Sequence, residues 1–298
     1  MKLGYACINT ALSANKIFTN RTMRRKTFDD RGIGYISELS LANVKDLKTI
    51  VQWNNEMKIK LFRLSSQIFP WSDEYSIEEL PDGIEICEIM FEIGKIAKDA
   101  GQRLTMHPGP YNCLASPTQK VVEKTIRELN FHSEQFNMMG YDPSPYNKIN
   151  IHVGGAYGDK KSTLERFVQN FKLLNEDTKK RLVIENDDSP NEYSVEDLYE
   201  GIYKRIGIPI TFDYFHHKFN TGGLTEEEAL KLASTTWPDG VTQCCHYSES
   251  RQKEKLDESI RPQAHSDLIY EKINTYGLNL DIVIEAKLKE QAIFKNNN

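Results

Sequence analysis

Five of the seven histidines fall at equivalent places in the chain. His107, His152, His216, His246 and His265 stand at the end of a short apolar run, just past it, or at the start of the amphipathic stretch that follows. Three carboxylates share the pattern: Glu185 closes Leu182-Val183-Ile184, Asp213 follows Ile210-Thr211-Phe212, and Glu285 closes Ile282-Val283-Ile284. Imidazole mixed with carboxylate is a donor set for Zn, Mn or Fe rather than for Ca. A carboxylate buried behind apolar residues is costly without a cation. Asp213 and His216 are three residues apart, so both can turn toward one point. Taken singly, a histidine is more often a hydrogen-bonded surface or core residue, and a strand-end acid often caps a helix. Eight such residues at matching positions point instead to a multi-metal site. His132, inside a helical stretch, and His217, beside His216, read as structural.

Those positions converge only if the elements carrying them are parallel. Apolar runs rich in Val, Ile and Phe occur at residues 2–8, 59–64, 103–107, 148–153, 181–185, 208–214, 240–247 and 280–286. Helical periodicity falls between them, at 39–57, 84–100, 117–139, 162–174, 194–206, 225–234 and 264–276. Thr225-x-x-Glu228 is a capping box, and Ser194-x-x-Asp197 resembles one. Eight strands alternating with helices predict an α/β fold, a TIM (β/α)8 barrel. Its strands all end on one face, which places the candidate donors over one mouth. A single domain over residues 1–298 is expected, with a short disordered tail at about 294–298. Residues 10–38 read as a long polar loop, the most basic stretch of the chain, with Arg21, Arg24, Arg25, Lys26 and Arg31.

The 298 residues are 39% hydrophobic and 27% charged, enough for a real core and too apolar for general disorder. The net charge of -5 argues against a non-specific nucleic-acid coat protein, but not against an enzyme whose positive charge is local or comes from metal. No apolar stretch is long enough to span a membrane. Five cysteines without a CxxC spacing argue against a disulfide framework and for a reducing, intracellular compartment, cytoplasmic or nuclear. A monomer is expected.

The motifs together resemble the UV damage endonuclease family. They are Leu3-Gly4-Tyr5-x-Cys7-x-Asn9, Thr19-Asn20-Arg21-Thr22, Phe62-Arg63-Leu64-Ser65-Ser66, Met106-His107-Pro108-Gly109, His152-Val153-Gly154-Gly155-Ala156-Tyr157-Gly158, Glu185-Asn186-Asp187, Asp213-x-x-His216-His217 and Ile284-Glu285-Ala286-Lys287-x-Lys289-Glu290-Gln291. That family is similar in fold to endonuclease IV. The resemblance implies up to three divalent ions, Mn2+ first and Zn2+ or Mg2+ as alternatives, held by His107, His152, Glu185, Asp213, His216, His246, His265 and Glu285. Glu185 and Asp213 would bridge ions. The resemblance also implies that Tyr5 and Asn9 probe DNA, as does the pair after His-Pro-Gly, here Pro110-Tyr111 where the family usually has Gln-Tyr. Two further departures concern the ligands. Glu74 stands where the family usually has a His, and Cys244 where it usually has a Lys. Either could ligate; Glu74 reads equally as a solvated loop acid and Cys244 as an inert buried thiol.

The implied activity is hydrolysis of a phosphodiester in damaged double-stranded DNA on the 5′ side of an ultraviolet photoproduct, the ions holding the scissile phosphate. Recognition would rest on the low cost of kinking and flipping a lesion-weakened stack. Arg21, Arg24, Arg25 and Lys26 are candidate phosphate contacts. Lys287 is a candidate for the scissile phosphate or for pairing with Glu285. Two other readings stay open. A xylose-isomerase-like sugar isomerase or epimerase also gathers His, Glu and Asp around metal, but needs fewer histidines and no basic aromatic first loop. A degenerate barrel that binds damaged DNA without cutting it would accommodate the changes at Glu74, Pro110 and Cys244.

Overall fold

The computed structural model describes residues 1–296. Each of the eight apolar runs contains a strand: β1 Leu3–Ala6, β2 Leu61–Leu64, β3 Arg103–Met106, β4 Ile149–Ile151, β5 Leu182–Glu185, β6 Ile210–Thr211, β7 Gln243–Tyr247 and β8 Leu280–Ile284. Every strand pair is parallel, in the order β6-β5-β4-β3-β2-β1-β8-β7. The seam between β6 and β7 is closed by one parallel bridge, Asp213 to His246, and by a 3.0 Å hydrogen bond from His246 N to Phe212 O. The fold is therefore the expected TIM barrel, and two of the candidate ligands sit on its closing seam.

Strand alternation divides the side chains between two cores. Outward residues such as Tyr5, Phe62, Leu104 and Ile184 pack under the helices. Inward residues form layers along the barrel axis. At the bottom Arg103, fully buried, meets Asp281 at 3.0 Å across the barrel. Above it Ala6, Leu61, Val183, Cys244 and Val283 make a small apolar cluster with Trp237. The uppermost inward positions carry the polar residues of the site. Gly4 permits the close approach of β1 to β2: a Cβ there would lie 2.1 Å from the Leu61 carbonyl oxygen.

The main outer helices are α1 Arg25–Glu56, α2 Gly83–Asp99, α3 Gln119–Met138, α4 Lys160–Phe171 and α5 Glu226–Ser234. Three expectations need correction. Half of the supposed loop at 10–38 is helical, because α1 starts at Arg25 and runs through a kink at Gly32, where φ is 66° and only glycine is comfortable. Ile36, fully buried, anchors that first section to the core. Residues 264–276 form no helix. Carboxylates take up their backbone amides instead: Glu254 accepts from Asp267 N and Leu268 N, and Glu249 accepts from Tyr270 N and Glu271 N. The chain end is helical from Glu290 to Asn296, where a tail was expected; the last two residues of that tail, 297 and 298, lie outside the described residues. The capping boxes at Ser194 and Thr225 are both present. No helix among the described residues is long and apolar enough to cross a membrane.

Candidate metal centre

Glu185 ends β5 pointing into the barrel and is 1% exposed. Its two carboxylate oxygens face different partners. Oε2 accepts from Asn150 Nδ2 and lies 3.3 Å from His107 Nε2 and 3.7 Å from His152 Nε2. Oε1 lies 3.0 Å from His246 Nδ1. Two donor sets follow, each with one ligand atom per residue and all atoms within 4.8 Å: His107, His152 and Glu185, and Glu185, Asp213 and His246. Glu185 belongs to both, so a carboxylate bridge between two ions is the arrangement the geometry allows.

Asp213 works in two directions. Oδ1 accepts from Phe215 N at 2.7 Å and His216 N at 2.8 Å, capping the short turn Tyr214–His217. Oδ2 is buried and has no hydrogen-bond partner. A fully buried anionic oxygen without a partner is costly, and a cation relieves it. This orphaned atom, with imidazole nitrogens around it, fits divalent metal.

The histidines are oriented by oxygen atoms behind them. Nδ1 of His107 meets Pro108 O at 2.9 Å, Nδ1 of His216 meets Asn186 O at 2.8 Å, and Nδ1 of His265 meets Glu285 O at 2.8 Å. Nδ1 of His152 meets Asp187 Oδ1 at 2.7 Å. In each ring Nε2 is left for a ligand, the usual way a metal-binding imidazole is held. His246 is reversed: Nδ1 faces Glu185, and Nε2 lies 3.1 Å from the ammonium of Lys148. Replacing Asp187 by Asn removes an orienting charge while keeping the shape. Metal affinity, followed by competition with a chromophoric chelator, should fall about 10- to 100-fold; an unchanged affinity would sink Asp187 as the orienting group.

The electrostatics of the bare cluster ask for positive charge. Burial foremost, with Glu185 and Glu285 adding to it, pushes the Asp213 carboxyl up to about 7. Against burial, the carboxylates of Glu185 and Asp187 hold the His152 imidazolium up to about 10. Against burial again, Asp213 and Glu185 hold His216 up to about 9. Burial drives His246 the other way, to about 3. Glu185, despite burial, is held well below the ordinary carboxylate range by His246 and His152.

Glu285 joins the cluster 3.4 Å from His246 Nδ1, and its carboxylate is paired with the guanidinium of Arg63 at the end of β2. Lys287 does not make that pairing: its side chain is exposed and bonds to nothing among the described residues. Three residues that sequence reasoning passed over thus belong to the site: Arg63, Asp187 and Lys148. Arg63 and Asp187 stood inside quoted motifs, and Lys148-x-Asn150-x-His152 has the two-residue spacing that puts all three on the inward face.

Other expected site residues lie elsewhere. Tyr5 is fully buried; its hydroxyl donates to Asn54 Oδ1 of α1 and accepts from Asn9 Nδ2. Asn9 is 1% exposed and caps the turn Thr10–Ser13. Neither side chain is exposed at the mouth: strand alternation turns Tyr5 toward the helices, and Asn9 is buried beneath the turn it caps. Glu74 is a loop acid paired with Arg25 at 2.8 Å, apart from both donor sets. Cys244 is buried in the apolar layer below the centre and belongs to neither donor set. Arg21 is spent on Asp46 and the carbonyls of Lys16 and Phe18, and Arg25 on Asp29 and Glu74 against the Phe28 and Trp71 rings. Arg24 has no side-chain partner among the described residues. Tyr111 is 89% exposed in the loop after β3, and Pro110 lines a cavity of about 370 Å³ with His107, His152 and His216.

A (β/α)8 barrel with a histidine–carboxylate centre suited to divalent metal is the class that this fold and site define. The model of the family described as UV-endonuclease UvdE matches residues 1–297. The chain belongs to that family. A UV-damage endonuclease of Schizosaccharomyces pombe is 37% identical over 309 residues, which cover 99% of this chain and 50% of the relative. The chain thus spans half the length of that relative. The crystal structure of SacUVDE matches with a TM-score of 0.85 at 30% identity, covering 99% of this chain and 96% of that one. Likeness in fold alone extends to endonuclease IV of Thermus thermophilus, with a TM-score of 0.56 at 12% identity over 84% of this chain and 91% of that one. It extends equally to a D-psicose 3-epimerase of Clostridium cellulolyticum, at 0.56 and 13% over 96% and 85%.

Proposed function

We propose that this barrel hydrolyses a phosphodiester of duplex DNA on the 5′ side of ultraviolet photoproducts, both pyrimidine dimers and 6-4 photoproducts, with divalent metal at the centre. The observation that carries the reading is Glu185, shared between two donor sets at the floor of a mouth in a chain of this family. His107, His152 and Glu185 would hold one ion, and Glu185, Asp213, His246 and Glu285 a second. His216 and His265 offer free Nε2 atoms for a third. Mn2+ or Zn2+ suits these mixed imidazole and carboxylate donors better than Mg2+. Divalent ions there supply Lewis acidity toward the phosphate and a nucleophile at neutral pH.

The chain's own residues then have defined tasks. Glu185 fixes the spacing of the two positions. Asp187 and the backbone carbonyls fix the imidazoles. Tyr111, the most exposed large side chain in the loop after β3, offers a ring to stack where the damaged bases leave the duplex. Pro110 beside it has no amide hydrogen to donate, so this wedge acts by shape.

An end-labelled duplex, irradiated and incubated with purified protein in Mn2+ and then in chelator, tests the reading. A chelator-sensitive nick on the 5′ side of the photoproduct is expected. Binding without any nick across Mn2+, Mg2+, Zn2+ and Co2+ would favour the non-cutting barrel. Tyr111→Ala should lower the ratio of damaged- to intact-duplex affinity by about 10-fold, the scale of one lost base–aromatic stack, with metal content unchanged. Equal loss on both duplexes would contradict a stacking role.

A further inference from the structure

Glu185 is the carboxylate common to both donor sets, so the direction of its two oxygens sets the spacing of the centre. Oε2 accepts from Asn150 Nδ2, and Oε1 faces His246 Nδ1. Behind both of these partners lies a single atom, the Nζ of Lys148. It stands 3.1 Å from Asn150 Oδ1 and 3.1 Å from His246 Nε2. Lys148, Asn150, Glu185 and His246 therefore close a ring of contacts beneath the mouth, and all four side chains are buried. Thr211 Oγ1 at 2.9 Å and the Cys244 carbonyl at 3.2 Å pin the ammonium to β6 and β7. Its three N–H groups thus serve four acceptors, and none is left for a ligand. Lys148 does not line the cavity above the centre, so it can act only through its neighbours.

The order around the ring follows from what each end can do. An ammonium only donates, and a carboxylate only accepts. An amide between them must turn its oxygen to Lys148 and its NH2 to Glu185, as Asn150 does. An imidazole between them must turn one nitrogen to each. Nε2 of His246 accepts from Lys148, which leaves Nδ1 facing Glu185. This accounts for the reversal of His246, the one imidazole of the five whose Nδ1 points to the centre. A fully buried ammonium whose contacts are all uncharged groups is costly to keep. A methionine would fill the same length without that cost, so packing gives no reason for a lysine here.

We infer that Lys148 is the positioning residue of the shared carboxylate. Through Asn150 and His246 it directs the two oxygens of Glu185 toward the two donor sets, and it sets which nitrogen His246 presents. The inference rests on the metal-centre reading given above.

The test uses the full chain, loaded with Mn2+ or with Co2+, and the variants Lys148→Met, Asn150→Leu and their combination. Metal affinity is measured by competition with a chromophoric chelator, and donor geometry by the visible absorption of the Co2+-loaded protein. Lys148→Met keeps the volume and should weaken metal binding about 10- to 100-fold, the range for a group that orients a ligand without touching the ion. It should also shift the Co2+ bands. Asn150→Leu breaks one arm of the ring and should cost about 10-fold; it decides the matter if Lys148→Met does not fold. The double variant should lose no more than Lys148→Met alone, because both changes act through one ring. Losses that multiply would mean that the two residues act separately, and would overturn the inference. Affinity within about twofold of the parent with an unchanged Co2+ spectrum, in either folded single variant, would overturn it as well. Failure of the metal-centre reading would show differently, as a parent protein that takes up neither ion, and would overturn both. Failure of the endonuclease reading alone would show as no nick in irradiated duplex while metal affinity still depends on Lys148.

Discussion

Glu185→Gln should empty the centre and lower nicking by about 10³-fold or more, which corresponds to about 4 kcal/mol of lost transition-state stabilisation. The reason is the division of its oxygens between His107 and His152 on one side and His246 on the other. An amide keeps one oxygen and replaces the other with an NH2 group that cannot ligate. One of the two donor sets would then lose its carboxylate oxygen, and the sets would no longer share an anionic donor. Asp213→Asn touches only the second donor set, so it should retain the ion at His107 and His152 and lose the other. Elemental analysis after dialysis separates the two outcomes, and single-turnover nicking of irradiated duplex gives the rates. Unchanged metal stoichiometry in Glu185→Gln would place the metal elsewhere.

The barrel was legible because parallel strands buried on both faces read as continuous apolar runs, and all eight such runs became strands. The ligands were legible for a related reason. A histidine or carboxylate at the end of such a run can face only the mouth or the helices, and eight coincidences select the mouth. What escaped was the parity within each strand. Gly4 and Ala6 face inward, so Tyr5 must face outward, and it packs on Phe62 with ring centroids 4.9 Å apart. The same parity puts Leu61 and Arg63 inward, which would have marked Arg63 as the partner of the centre. The helix expected at 264–276 failed for another cause. Its apolar spacing was helical, but Glu249 and Glu254 offered its amides better acceptors than a helix would. Cys244 and Glu74 show the limit of reading position without reach, since one lies in the apolar layer below the centre, the other pairs with Arg25 in a loop, and neither belongs to a donor set.

Fold alone does not separate the readings, since endonuclease IV and the epimerase match with the same TM-score of 0.56. Membership of the UvdE family favours the DNA reading, and so does the number of histidines. Five imidazoles converge here, four with Nδ1 held from behind, more than a single shared carboxylate and one ion could occupy.

Metal removal should make stability depend on pH in a direction opposite to the usual alkaline tolerance of a carboxylate-rich protein. In the stripped protein His216 is held up to about 9 and His152 up to about 10, whereas unfolded histidine titrates near 6.5. A raised folded value means that the folded state binds the proton more tightly. The stabilisation is full below about 6.5 and is lost as pH rises through 9 to 10. Asp213, held up to about 7, loses its contribution in the same direction between about 4 and 7. His246, pushed down to about 3, and the lowered carboxyls of Glu185 and Glu285 act oppositely, but only as pH falls below about 6.5. Above that point Lys148, whose buried ammonium is held below its ordinary range, opposes the loss, but it is a single group against two raised histidines. Ligation reverses the sign, because an ion needs neutral imidazoles and an ionised Asp213, and its binding releases their protons. The melting temperature in chelator should therefore fall between about pH 6.5 and 9, while that in excess Mn2+ holds, and the gap should widen by on the order of 5–10 °C. Scanning calorimetry at both ends of that window measures it. A gap that stays constant with pH would mean that these histidines are not the groups the metal displaces protons from.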